Sequence, residues 1–238
     1  MRDQLKTFEF FKKSLSFTNE SIDQFQTLLR EVVDAHGEDY IGTKNGYDAL
    51  VVYYTEKINL EYSIGESVDV IRQTFLELLK YYSKMWDLEY GYTGLVRVLS
   101  VGFMLNVESV QFDDLQKKII DLKLNDYIVN FLMRCINENW SLSSQSLVFP
   151  GFYEPLKEII DSFDDLSNDT ISRKILSYLN DFWYSSNSEE AWYDSHKSKD
   201  NLYYGYWCYE IGAVVKALGI EDSQFKNQVY YPYDLVHY

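Results

Sequence analysis

Between Ser67 and Trp86, apolar side chains recur at steps of three and four: Val68, Ile71, Phe75, Leu78, Leu79, Tyr82 and Met85. That is the period of one helical face. Ser67 precedes the stripe and Asp69 falls in its first turn, where a helix N-terminus favours a hydroxyl cap and a negative charge. The same spacing predicts further helices near 19–36, 44–62, 90–106, 108–121, 125–139, 153–165, 169–186 and 203–218. Gly37 and Gly219 stand where two of these should stop. Asn168-Asp169 is expected to cap another. Runs such as Val51-Val52-Tyr53-Tyr54 are β-prone in isolation, but each lies inside a longer helical pattern. The reading is an all-α protein of about nine to eleven helices, with two helical subdomains as a possible division.

The three prolines, Pro150, Pro155 and Pro232, leave the first 149 residues without a proline. Serines from Ser141 to Ser146, followed by Pro150-Gly151, interrupt the periodicity. Residues 1–122 and 123–238 are read as an N-terminal and a C-terminal helical domain, with 140–150 as the alternative break.

Composition narrows the class. The 238 residues are 46% hydrophobic and include 22 Tyr, 14 Phe and 5 Trp, enough for a full core. Two cysteines, Cys135 and Cys208, cannot make a disulfide framework and read as small buried hydrophobes of a reducing compartment. The N-terminus lacks a secretory pattern and no apolar run is long enough to span a bilayer, so a soluble cytoplasmic protein is expected.

The formal charge is −15. Such a surface repels nucleic-acid backbones and anionic membranes, and favours a basic protein partner. The charge is uneven. Residues 138–194 carry eleven acidic groups against three basic ones, a local charge of −8. Glu154, Glu158, Asp161, Asp164, Asp165, Asp169, Glu189, Glu190 and Asp194 are the candidate partner-binding residues. Asp161, Asp164 and Asp165 have the spacing of one helical face. The bland alternative is a solvated acidic surface.

Catalytic chemistry is poorly represented. His36 suits a helix C-terminus, His196 sits in no motif, and His237 is expected to be mobile beside the chain end. Metal-ligand spacings, a nucleophile elbow and a phosphate-binding loop are missing from the sequence. Gly91-Tyr92-Thr93-Gly94 reads as a helix start. No catalytic residue, metal or cofactor is expected.

The most specific segment runs from Tyr203 to Leu235. Tyr204, Trp207, Cys208, Ile211, Val214, Val215 and Leu218 are expected to form the apolar face of one helix. Glu210, set among aromatic turns, should be partly buried and bonded to tyrosine hydroxyls or a backbone N–H. Gly205, Gly212, Ala213 and Ala217 would admit a close neighbour, and Asp222 or Ser223 would cap the next short helix. This segment resembles the C-terminal domain of the PoNi family, the immunity proteins of polymorphic nuclease toxins. The resemblance lies at Tyr204, Tyr206, Trp207, Glu210, Lys216, Leu218, Gly219, Ile220 and Asp222, and at Tyr230, Tyr231, Pro232, Tyr233, Asp234 and Leu235. Arg2-Asp3 is similar to the opening of the family's N-terminal domain. The resemblance implies a two-part helical antitoxin that binds and neutralises a cognate basic DNase toxin inside the producing cell. It implies fold-determining roles for the motif, not toxin contacts. An acidic helical adaptor for another basic protein is the competing reading.

Overall fold

The computed structural model of the chain describes residues 1–200 and 202–238. Every regular element among them is helical, as the hydrophobic spacing predicts. In chain order the α-helices are α1 (Phe8–His36), α2 (Ile41–Ile64), α3 (Val68–Met85), α4 (Tyr92–Met104), α5 (Asp113–Asp121), α6 (Tyr127–Ile136), α7 (Pro150–Asp161), α8 (Asn168–Ser177), α9 (Tyr184–Ser186), α10 (Tyr209–Leu218) and α11 (Tyr233–Val236). A π-helical stretch, Tyr178–Trp183, links α8 to α9. The chain forms two compact units, each drawn from several stretches of sequence. One comprises Met1–Gly91, Val110–Ile119 and His196–Tyr206; the other comprises Tyr92–Ser109, Ile120–Ser195 and Trp207–Tyr238.

In the first unit, α2 packs against both α1 and α3. Ile71, Phe75, Leu78, Leu79 and Tyr82 of α3 are buried, as the stripe requires. Ser67 caps that helix by accepting the Val70 N–H at 3.4 Å. Gly37 stops α1 with φ +82°, a region that favours glycine. α1 begins at Phe8, well before residue 19, with Thr7 accepting the Phe10 N–H at 3.2 Å. Its early inner face is built from Phe11, Ser14 and Thr18, so small polar residues stand where an apolar stripe was sought. Lys118 of α5 donates to the carbonyls of Lys84 at 2.7 Å and Trp86 at 3.1 Å, satisfying the end of α3. Arg2 does the same for α2, donating to the Tyr62 and Glu66 carbonyls at 3.0 and 2.9 Å. Asp3 accepts the Tyr203 hydroxyl.

In the second unit, α4 is buried on nearly all sides, as a helix apolar all round should be. It contacts α6, α10 and α11, while α7 contacts α6, α8 and α10. Asp126 caps α6 and is fully buried. Its carboxylate accepts the Tyr92 hydroxyl at 2.6 Å and the N–H groups of Val129 at 3.0 Å and Val148 at 2.8 Å. One side chain thereby joins α4, α6 and the irregular stretch before α7.

Several expectations need correction. Residues 203–208 are not helical, so Tyr204, Trp207 and Cys208 do not share a face with Ile211. Gly205 has φ +112°, which no α-helix allows, and the Cys208 N–H is drawn to the Tyr230 carbonyl at 2.9 Å. The helix starts at Tyr209. Ser167, not Asn168, is the extended residue before α8. Asp222 does not cap the following turn with its side chain, because that carboxylate faces inward.

Candidate functional site

α7 shows why the acidic segment divides into an inner and an outer face. Pro150 occupies its first turn, where a missing N–H costs nothing. Tyr153, Leu156 and Ile159 face the core. Glu154, Glu158 and Asp161 alternate with them and are exposed. α8 repeats the scheme, with Ile171, Ser172 and Ile175 buried and Asp169 exposed in its first turn. The negative charge of Asp169 is favourable there.

Not all of the carboxylates are available to a partner. Asp161 is engaged by Lys157 and by the Tyr127 hydroxyl, and the Lys157 ammonium also lies 4.5 Å from the Tyr127 ring centre. Partial burial works to raise the Asp161 carboxyl, but the bonds from Lys157 and Tyr127 outweigh it and hold the group below the usual range. Glu158 pairs with Lys174 at 3.4 Å. Glu154, Asp164, Asp165, Asp169 and Glu189 are exposed and have no cation partner among the described residues. Glu190 is half-buried. Asp194 is half-buried too, and its Oδ1 accepts the Tyr184 hydroxyl at 2.8 Å.

Asp161, Asp164 and Asp165 do not share one helical face. α7 ends at Asp161, and the next residues form turns in which the Asp165 N–H bonds the Ser162 carbonyl at 3.2 Å. Acidic residues oppose the negative end of a helix dipole, and no lysine or arginine follows them in the turn to offset this. The result is two unneutralised carboxylates on a connection between α7 and α8. Among the described residues, no group of three or more His, Cys, Asp or Glu side chains is arranged to hold a metal. The surface can attract cationic side chains.

The Tyr203–Leu235 motif takes a different place. Glu210 is buried, and its Oε1 accepts the indole N–H of Trp183 at 2.6 Å. An indole from the π-helical stretch thus joins the expected backbone N–H, which is that of Glu210 itself. Burial drives the Glu210 carboxyl upward, against its hydrogen bonds and the charge of Arg97. Asp222 accepts the Tyr231 hydroxyl at 2.6 Å and stands 2.8 Å from His237 Nε2. His237 is therefore held in place, contrary to its expected mobility. Lys216 donates to the Met104 carbonyl at 2.7 Å, at the end of α4. Gly219 ends α10 with φ +63°. Gly212 allows the expected close approach: a Cβ there would lie 2.6 Å from Pro232 Cγ and 2.9 Å from Met104 Sδ. Tyr206 and Trp207 are buried, and Asp234 is exposed in the first turn of α11. The Tyr206 hydroxyl meets His196 at its N–H, 3.1 Å, and at Nδ1, 3.0 Å.

Sequence reasoning reached the charges around residue 190 but not the rings beside them. Tyr184, Trp192, Tyr193 and Tyr230 are half-buried; Tyr184 stacks on Tyr193 and on Tyr230, and Trp192 is tilted against it. The sequence signal available was the density of aromatics from Phe182 to Tyr193.

Two family models match the sequence. "PoNe immunity protein (PoNi), N-terminal" matches residues 2–123, and "PoNe immunity proteins (PoNi), C-terminal" matches residues 124–235. No curated protein matches the chain. The crystal structure of protein PA2201 from Pseudomonas aeruginosa superposes with a TM-score of 0.72 at 15% identity, covering 100% of this chain and 89% of that one. At that identity the likeness establishes the fold.

Proposed function

Because the chain belongs to the PoNe immunity protein family, we propose that it binds one cognate DNase toxin and neutralises it in the cytoplasm of the producing cell. The binding face is the exposed acidic surface between Glu154 and Asp194. The observation that carries this reading is the set of outward carboxylates without cation partners, foremost Asp164 and Asp165. A DNase must present a basic surface to the phosphates of its substrate. An acidic partner is steered to that surface and holds it away from DNA. Binding alone suffices, so no catalytic step or cofactor is required of this chain.

The test is an association measurement with PoNe nuclease toxin domains, joined to co-expression in a sensitive cell. Asp164→Lys with Asp165→Lys should slow association about tenfold at low salt, with a smaller effect at high salt. These positions are preferable to Asp161, whose replacement would also break the contacts to Lys157 and Tyr127. Full protection by the double variant, at an unchanged association rate, rejects this face as the contact.

A further inference from the structure

The tip where α1 hands over to α2 is pinned from several sides. The Gly37 N–H donates to the Val33 carbonyl at 2.8 Å, and the buried Thr43 hydroxyl donates to the Gly37 carbonyl at 2.8 Å. The N–H groups of Thr43 and Lys44 both bond the Tyr40 carbonyl, at 3.0 and 3.2 Å. Tyr47 of α2 and Lys84 of α3 both donate to Glu38, Lys84 at 3.1 Å. Gly42 lets Tyr40 fold back onto the start of α2: a Cβ there would lie 2.6 Å from Tyr40 Cε1 and 3.5 Å from Val32 Cγ1. His36 steadies the same ring, with centres 4.5 Å apart.

This pinned tip presents apolar surface to solvent. Ile41 is 64% exposed, and Tyr40 stays 44% exposed in spite of its contacts. Leu28, one helical turn before Val32, is 52% exposed. Ile41 contributes little apolar burial to the fold. A partner that covers it removes apolar area from water without first having to order a loop.

Charge selects the partner. Residues 31–43 include Glu31, Asp34, Glu38 and Asp39 and no lysine or arginine. Glu38 is paired with Lys84, but Glu31, Asp34 and Asp39 are exposed and have no cation partner among the described residues. Two cations flank the stretch. Arg30 is turned back along α1, onto the Gln26 carbonyl at 3.3 Å and the Thr27 hydroxyl at 3.4 Å, and Lys44 is exposed. A second copy of the chain would set these carboxylates against their own kind. A basic protein surface with an apolar spot meets the apolar centre with apolar area and the acidic rim with cations, which is the anatomy of a protein interface.

We propose that the α1–α2 tip, with Ile41 and Tyr40 at its centre and Glu31, Asp34 and Asp39 around them, docks on the basic surface of the nuclease toxin. This rests on the toxin-binding reading above. It gives the first unit a contact of its own: the outer carboxylates between α7 and α8 set the rate of encounter, and the tip sets the lifetime of the complex.

The test uses the full chain and PoNe nuclease toxin domains, with association and dissociation followed separately. Ile41→Ser and Tyr40→Ser should each speed dissociation about tenfold, at low and high salt alike, since apolar contact is not screened. Asp39→Lys should slow association, and high salt should erase that effect. Val229→Ser, at a comparably exposed apolar position in the second unit, should leave both rates native. Circular dichroism and melting within a few degrees of native establish that the variants fold. If the native chain binds a toxin domain but both tip variants dissociate at the native rate, the tip proposal is overturned and the toxin-binding reading survives. If the native chain binds none, both fall. A dimer seen by sedimentation and dissolved by Ile41→Ser also overturns the proposal, because the tip would then face a second copy of the chain.

Discussion

Glu61 gives the sharpest test of how this fold handles its interior charge. It lies on the inner side of α2 and is 3% exposed. Its Oε2 has no hydrogen-bond partner among the described residues, and Lys57 Nζ stands 3.8 Å from Oε1. Burial is the largest influence and raises the carboxyl from 4.5 to about 7, against a hydrogen bond from Thr74 and the Lys57 charge. An acid that keeps its proton better in the folded state than in the unfolded chain makes stability fall as pH rises between those two values. The Glu61 contribution is therefore fully present below pH 4.5 and is lost as pH rises through about 7. A displacement of this size corresponds to about 3 kcal/mol when the group is fully ionised. Glu61→Gln keeps the shape and removes the titration. Between pH 5 and pH 8.5 the native chain should lose about 2 kcal/mol that the variant keeps. For a chain of this length that is about 4–8 °C in Tm. Melts followed by circular dichroism at fixed ionic strength measure the difference between the two curves. Parallel curves refute the reasoning, because they would mean that Glu61 is ionised throughout and paired with Lys57.

Gly212→Ala should destabilise by about 1–3 kcal/mol, since the added methyl meets the rigid Pro232 ring as well as the Met104 thioether; a melt of the variant measures it. Asp126→Ala should cost about 3 kcal/mol, because it strands the Tyr92 hydroxyl and two N–H groups. Asp126→Asn should cost less, since one carbonyl oxygen remains, and equal losses for the two variants would contradict the three-bond account. Glu154→Lys should leave Tm within about 2 °C of native, as an exposed side chain outside any ion pair contributes little.

The helices were legible where apolar residues kept the period and capping agreed, as at Ser67 and the stripe from Ile71 to Tyr82. They were less legible where small polar residues did the packing, as in the first half of α1. The segment from Tyr203 to Cys208 misled the spacing argument because aromatics at helical intervals also fit an extended strand, and only the φ of Gly205 decides. The site was legible as charge and not as geometry. A count of carboxylates cannot tell Asp161, which is paired with Lys157 and bonded by Tyr127, from Asp164 and Asp165. Nor does it tell that Glu210 finds its donor at Trp183, which is 27 residues away in sequence.

Most of the motif that marks the family lies apart from the acidic surface proposed for recognition, and burial explains the separation. Tyr206, Trp207, Glu210, Asp222, Tyr231 and Pro232 are buried, so a protein partner cannot read them. Their bonds, Trp183 to Glu210 and Tyr231 to Asp222, fix the packing of α10 and the tail. Buried polar groups of this kind must be satisfied or the fold suffers, which leaves little freedom to vary them for a new partner. Exposed carboxylates on the α7–α8 connection carry no such constraint, because their loss leaves no buried group stranded. A shared interior can therefore support many surfaces. Substitutions at the exposed carboxylates between residues 154 and 194 should alter which toxin is bound with little change in stability, and substitutions at the buried motif positions should do the reverse.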